Sequence, residues 1–267
     1  MTAGKTHAWS CRFDTAGTKL ILRGTAKMTT TDPYPVAMPN PPAVFAAVLA
    51  DRLAQAGVTV EGKLRVDLDP AAPRGPAPTD TLIATETTPL SAAMGRANRE
   101  SLNMMAECLY LRSAVTDEAP ATWNTAAATA CKVLCRDYGL AGEKLAISDG
   151  SGLSKLNRVS PAAICSLLAA LRQQEVFVGS LAVSGKSGSM ARRLDGAGVR
   201  GRVLGKTGSL AGASALSGYV LDADDAPAVA FSVITNGRTN GKTFSAKAAE
   251  DAIAEALAAF VDAAKAE

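Results

Sequence analysis

Leu204 to Val220 reads LGKTGSLAGASALSGYV, a Lys-Thr-Gly triplet that runs into an alternating strand of small residues. At the head of such a strand, Lys206-Thr207-Gly208 has two chemical readings. It is a loop that cradles phosphates, or one wall of a cleft in which a serine attacks. A phosphate loop requires G-x-x-x-x-G-K-[S/T], because the first glycine lets the backbone curl around the phosphates. The chain offers G-K-[S/T] triplets at Gly4, Gly185, Gly205 and Gly241, and the leading position falls before Met1 or on Ser180, Arg200 and Asn236. All of them fail, and the cleft reading stands.

Working outward from this strand, SALSGYVLD, the turn ADDAP and AVAFSVITNG form a hairpin of apolar strands. The last helix is expected to place Ile253, Ala256, Leu257, Phe260 and Val261 on one face. Upstream, Ser160-Pro161 opens a helix by the N-cap and Pro-at-N1 signal, with Ile164, Leu167, Leu168 and Leu171 in register. SDGSGLSKLNRVS is a polar loop, TWNTAAATACKVLCRDY a helix stopped at Gly139, and PLSAAMGRANRESLNMMAECLYLRSAV one or two helices. LIATETT reads as a strand and VTVEGKLRVDL as a strand pair or extended segment. AVFAAVLADRLAQAG is an amphipathic helix with Phe45, Leu49 and Leu53 on one side and Gly57 at its end. Residues 8–30 alternate like short antiparallel strands. The proline-rich DPAAPRGPAPTD marks a boundary, giving a β-rich part over 1–75 and an α+β part over 76–267.

Composition removes several classes. Hydrophobic residues make up 48% of 267, so the chain is globular. The net charge of +3, with no Lys/Arg block to concentrate it, gives no footing for nucleic acid or an anionic membrane. No apolar run approaches the roughly eighteen residues of a bilayer span. The start, MTAGKTHAWSCRF, has no apolar stretch of the kind a signal peptide carries. The five cysteines form no C-x-x-C pair. Cys131 and Cys135, one helical turn apart, read as small apolar residues on one face, with a disulfide or metal pair as the alternative. His7 is the only histidine, and it sits in a terminus expected to be loose. A Ser-His-Asp triad and poly-His zinc sites therefore have no imidazole to use. No metal and no cofactor is expected, and a hydrolase built from this chain needs lysine as its base.

A cleft wall needs partners. Ser101-Leu102-Asn103 lies at a helix entry and supplies an S-x-N triplet, which together with K-T-G belongs to the motif set of penicillin-recognising serine enzymes. A lysine and a hydroxyl at a strand edge hold a carboxylate while the strand backbone pairs with a peptide. A second serine relays a proton in place of imidazole, and an asparagine offers donor and acceptor together. Each triplet alone is weak, since Ser101 also reads as a simple helix cap and Lys206 as an exposed strand residue.

With their surroundings they resemble the class C low-molecular-weight penicillin-binding proteins, the D-alanyl-D-alanine carboxypeptidases/endopeptidases of peptidase family S13. PLSAAMGRANRESLNMMAECLYLR is similar to the family's segment around S-x-N, with Leu102 where a polar residue is usual. DGSGLSKLNRVSP resembles its Asp-x-Ser-Gly-Leu-Ser loop, and SLAVSGKSGSMARRL its approach to the K-T-G strand. More weakly, residues 20–65 resemble the end of a domain that the family inserts between S-x-x-K and S-x-N. The resemblance implies a β-lactamase/transpeptidase-like α+β domain, an antiparallel sheet with helices on its faces, incomplete at its N-terminal side and preceded by part of an inserted β-rich domain. It also implies that Lys206 and Thr207 grip the terminal carboxylate of a peptidoglycan stem peptide ending in D-Ala-D-Ala. Gly208 would keep the edge open and Ser209 N–H would face the oxyanion. Ser101 would shuttle a proton, Asn103 would orient it, and Asp149 and Ser151 would shape the cleft. The place of work implied is periplasmic or extracellular.

The family's nucleophile and its general-base lysine share one motif, S-x-x-K, on one helical turn. Three residues before the twelve lysines stand Thr2, Ala16, Gly24, Val60, Thr129, Ala141, Gly152, Val183, Val203, Thr239, Phe244 and Asp262, none of them serine. The expectation is therefore the C-terminal part of a longer enzyme, with a short, catalytically silent relative as the alternative. Either way β-lactams are expected to bind non-covalently at most. An unrelated α/β protein, the remaining possibility, would set Ser101 and Lys206 apart.

Overall fold

The computed structural model describes residues 2–3, 8–14, 19–27, 29, 36–62, 81, 84–116, 119–140, 145–237, 241 and 244–264. The chain divides into two units, Met1–Ala84 and Thr85–Glu267. The boundary expected near residue 75, the histidine at 7 and the residues of VTVEGKLRVDL from 63 onward lie outside the described residues.

In the first unit, β1 (Thr2–Ala3) runs parallel to β3 (Leu20–Ala26), and β2 (Ala8–Phe13) pairs with β3 antiparallel. Helix α1 (Pro41–Gln55) starts where expected. The Asn40 side chain accepts from Ala43 N at 3.2 Å, and proline occupies the first turn, where a missing N–H costs nothing. Its apolar stripe is not a core face, since Phe45 is 70% exposed and Leu49 is exposed as well.

The second unit is α+β. Helices α2 (Leu90–Asn98), α3 (Asn103–Arg112) and α4 (Trp123–Asp137) come first, then α5 (Pro161–Leu171) and the short α6 (Glu175–Val178). A four-stranded antiparallel sheet follows in the order β4 (Ala182–Val183), β5 (Val203–Leu210), β6 (Ala213–Leu221), β7 (Pro227–Asn236), closed by α7 (Ala246–Ala264). Thr122 caps α4 through a reciprocal box with Thr125, and the Ser160 hydroxyl caps α5 by accepting from Ala163 N. Of the expected strand LIATETT, residues 82–83 lie outside the described residues; residues 84–89 are irregular, and among the described residues its threonines have no ladder to join.

Lys206, Ser217 and Ser232 lie opposite one another across β5, β6 and β7 and so share the front of the sheet. The back carries Val203, Leu216, Val220 and Phe231, which form the main core with Ala254, Ala258 and Val261 of α7. On the front, Tyr219 packs with Leu168 of α5 and with Leu181, and its hydroxyl donates to Leu168 O at 2.6 Å. Burial pushes the Tyr219 phenol up to about 12.

The buried face of α7 differs from the one expected. It runs Ala246, Glu250, Ala254, Ala258, Val261, while Ile253 and Phe260 are exposed. Alanine lets the helix axis approach the sheet closely, so small residues rather than large ones mark the contact. Cys131 and Cys135 are free and half-buried on α4.

Strands β5 and β6 also approach closely. A Cβ at Gly218 would lie 1.9 Å from Leu204 O, whereas one at Gly208 would meet the Ala215 side chain at 3.5 Å. Gly218→Ala is expected to cost about 3 kcal/mol in urea unfolding, with Gly208→Ala within about 0.5 kcal/mol of the parent. Equal costs for the two substitutions would contradict this packing.

Candidate active site

The site is assembled from a helix junction, a strand edge and two loops of the second unit. Helix α2 ends at Asn98, and Leu102 N donates back to Arg96 O at 3.0 Å. This turns the chain sharply, with Ser101 in the left-handed region at φ +56°. A non-glycine residue held there costs of the order of 1 kcal/mol or more and persists because its surroundings over-determine it. Here the surroundings are explicit. Asn98 Nδ2 donates to Ser180 Oγ at 2.7 Å, and the Arg99 guanidinium donates to the carbonyls of Gly179 and Leu181. Arg99 O accepts from Ser189 N at 3.0 Å. Gly188 makes that last contact possible, since a Cβ there would lie 2.1 Å from Arg99 O and its φ is +57°.

On the sheet side, Ser184 N donates to Val203 O, so the backbone groups of alternate residues from Val203 onward point away from β6. Strand β4 covers that edge as far as Gly205. The N–H and C=O groups of Thr207 and Ser209 therefore face outward along an edge with no further strand among the described residues.

The two sides meet at Lys206. Its Nζ donates to Ser101 Oγ at 2.8 Å and to Thr207 O at 2.7 Å. Thr207 Oγ1 donates to Ser189 Oγ at 2.8 Å. Desolvation by burial holds the Lys206 ammonium below its ordinary value. A cleft of about 690 Å³ opens beside them. Ser101, Asn103, Ser151, Lys206, Thr207, Gly208 and Ser209 all line it, and among its described lining residues Lys206 alone is charged. Much of the remaining lining is apolar and comes from Ile164, Leu167, Leu168, Phe177, Leu181 and Ile234.

Asp149 lies outside the lining. Its carboxylate accepts from Gly152 N at 2.9 Å, Ser154 N at 2.6 Å and Asn157 Nδ2 at 2.7 Å, and so folds the loop that presents Ser151. Several residues given no site role in the sequence reading hold the site together. Glu107 of α3 accepts from Gly150 N and Ser151 N at 2.8 and 3.2 Å and docks this loop. Asn98, Arg99 and Ser189 do the same for the helix junction. Their polar contacts span tens of residues along the chain, and no local pattern announces them.

The pattern of the D-Ala-D-Ala carboxypeptidase 3 (S13) family matches residues 4–260. The chain belongs to this family. It is 29% identical over 229 residues to a D-alanyl-D-alanine carboxypeptidase of Actinomadura sp. strain R39, covering 83% of this chain and 41% of that protein. It is 26% identical over 211 residues to the D-alanyl-D-alanine carboxypeptidase DacB of Haemophilus influenzae, covering 77% and 42%. The chain thus spans about two fifths of the length of these curated relatives. Among solved structures, penicillin binding protein 4 (dacB) from Haemophilus influenzae superposes with a TM-score of 0.67 at 23% identity, over 93% of this chain and 54% of that one. That likeness bears out the α+β, penicillin-binding-protein-like fold expected from the motifs.

The lowered Lys206 value has a signed consequence. The unfolded chain holds this proton more tightly, so between the depressed value and the ordinary lysine range it carries more protons than the folded one. Stability due to this group therefore rises with pH across that window. Urea unfolding of the parent and Lys206→Met, compared at neutral pH and at about pH 10, is expected to show the parent gaining relative to the variant. A flat or falling difference would mean that the ammonium is not desolvated.

Proposed function

We propose that this chain forms the substrate-gripping part of a serine-type D-Ala-D-Ala carboxypeptidase/endopeptidase site of peptidoglycan metabolism and that, taken alone, it binds its peptide without cleaving it. The observation that carries this reading is Lys206, the one charged side chain among the described residues that line the cleft, set at an open strand edge and bonded to the Ser101 hydroxyl and the Thr207 carbonyl.

In this reading a stem peptide ending in D-Ala-D-Ala lies antiparallel along β5 and exchanges backbone hydrogen bonds with Thr207 and Ser209, as an added strand does. Its terminal carboxylate faces Lys206 Nζ and Thr207 Oγ1, where charge-assisted bonds are the strong ones. Gly208 leaves room for the peptide, and Ser209 N–H is directed at the oxyanion of the scissile carbonyl. Ser101 passes a proton toward the departing amine, and Asn103 orients the peptide amide with its paired donor and acceptor. Asp149 acts by holding Ser151 in place. Residues 1–75 read as part of a β-rich domain inserted upstream of this site.

The covalent step needs an attacking hydroxyl with a base on the next helical turn, and none of the twelve lysines has a serine three residues before it. Removing such a nucleophile deletes acylation while leaving binding groups in place. A β-lactam, which carries the same carboxylate, is accordingly held without a bond being made. The peptidoglycan ligand places the work in the periplasm or outside the cell. Among the described residues no helix is long and apolar enough to cross a membrane.

Binding of an Nα-acylated D-Ala-D-Ala dipeptide by calorimetry is expected to weaken about 10- to 100-fold in Lys206→Met, the range of one charge-assisted hydrogen bond. Incubation with a fluorescent penicillin is expected to leave no band after boiling in detergent. A boiling-resistant band that an unlabelled β-lactam competes away would overturn the non-covalent reading, and an unchanged affinity in the variant would overturn the carboxylate grip.

A further inference from the structure

Behind the sheet, on the face away from the cleft, lies a carboxylate with no contact to any proposed ligand. Glu250 of α7 is fully buried. Its Oε1 accepts from Ser214 Oγ at 2.5 Å, and its Oε2 accepts from Arg193 Nη2 at 2.9 Å. Arg193 also reaches Asp251 Oδ1 through Nη2 at 2.7 Å and through Nε at 3.1 Å, and Lys247 O at 3.3 Å. A charged group so placed is costly unless paired and fully hydrogen-bonded, and a well-packed apolar residue would serve stability as well. Its two oxygens are the informative feature, because each is tied to a different wall of the cleft.

Ser214 stands opposite Ser209 across β5 and β6, so one oxygen fixes the strand pair behind the outward-facing Ser209 N–H. Arg193 sits in the segment that carries Ser189. Its N–H donates to Met190 O at 3.0 Å and its C=O accepts from Gly185 N at 2.8 Å, closing the turn that presents the Ser189 hydroxyl to Thr207. The second oxygen therefore fixes the support of Thr207. We propose that Glu250, through Arg193 and Ser214, is a positioning residue that sets the spacing between Thr207 Oγ1 and Ser209 N–H, the two groups that meet the ligand's carboxylate and scissile carbonyl. This rests on the proposed reading of the cleft as a carboxylate-terminated peptide site.

Glu250→Gln tests it, since the amide keeps the size and an acceptor oxygen for Arg193, its NH2 can donate to Ser214 Oγ, and the charge that holds Arg193 is removed. Two readouts are needed. In the first, amide hydrogen exchange, Ser189, whose N–H is bonded to Arg99 O, and Gly208, whose N–H points into the β5–β6 ladder, are expected to quicken about tenfold with α5 unchanged. In the second, the Nα-acylated D-Ala-D-Ala dipeptide binds about tenfold more weakly, its C-terminal amide analogue binds as before, and the loss vanishes in a Thr207→Val background, as coupling through that side chain requires. Arg193→Lys, which cannot bridge both carboxylates, reproduces the pattern if Glu250→Gln does not fold. Exchange that rises uniformly across the second unit, or does not change at Ser189 and Gly208, overturns the proposal. So does a loss of affinity that adds fully to that of Thr207→Val. If the parent binds no such dipeptide, the carboxylate-grip reading fails, and the exchange pattern alone still decides whether Glu250 positions the two walls.

Discussion

The desolvated ammonium of Lys206 is the constraint around which the cleft is arranged. A half-buried cation without a carboxylate partner is held by hydrogen bonds alone, and an ammonium has three donors. Ser101 Oγ and Thr207 O take two of them. Among the described residues no anionic side chain lines the cleft to neutralise the charge. The electrostatic demand of the site is therefore unmet within it, which favours a ligand that brings its own negative charge. Had an aspartate or glutamate lined the cleft, the same lysine would be a structural ion pair with no reason to attract a carboxylate. Burial weakens the proton's hold on Lys206, yet it also strengthens any ion pair formed there by excluding water. Both effects have one cause.

The strain at Ser101 belongs to the same arrangement. A serine at φ +56° would relax if the chain on either side were free. It cannot relax, because Asn98 and Arg99 are fastened to residues 179–181 and Arg99 O receives Ser189 N. The segment that supports Thr207 is thus also the one that holds the helix junction carrying Ser101. The hydroxyl residues Ser101, Ser189 and Thr207, from three distant parts of the chain, line one cleft with Lys206 because two short loops share one set of polar contacts. Strain persists in this way where the surrounding bonds offset a locally unfavourable backbone.

What the sequence disclosed follows from the range of the interactions involved. The β6–β7 hairpin was legible from alternation and its turn residues, and α4 and α5 from their caps, because those signals act over a few residues, whereas the turn at Ala211-Gly212 that splits the K-T-G stretch into β5 and β6 was not. The facing of Ser101 and Lys206 was foreseen from motif likeness, not from any local pattern. The face of α7 was misread for a physical reason. Val261 and Leu257 meet the core as their spacing predicts, but a helix lying close on a sheet buries Ala246, Ala254 and Ala258 rather than Ile253 and Phe260, and Glu250 interrupts the stripe. ATETT, the described part of LIATETT, is irregular because β-propensity describes a fit to neighbouring strands, and none lies beside it among the described residues. The left-handed backbone of Ser101 and the contacts of Glu107 and Arg99 left no trace, since they exist only once distant segments meet.

The cleft itself is a consequence of what covers each side of the sheet. The back is sealed by α7 along a stripe of small residues, so that face is core. On the front, α5 packs chiefly on β7, and the floor toward β5 is made of Gly208, Ala213 and Ala215. Side chains this small leave a recess wherever nothing lies over them, and close packing elsewhere keeps the sheet from collapsing into it. The recess is therefore set by the β5–β6 pair and its small front-facing residues more than by the loops at its rim. Enlarging Ala213 or Ala215 would fill the site without touching Lys206, whereas altering the loops would move the polar groups and leave the space. Volume and chemistry are carried by separate residues, which allows the shape of the ligand site and its charge preference to vary independently within one fold.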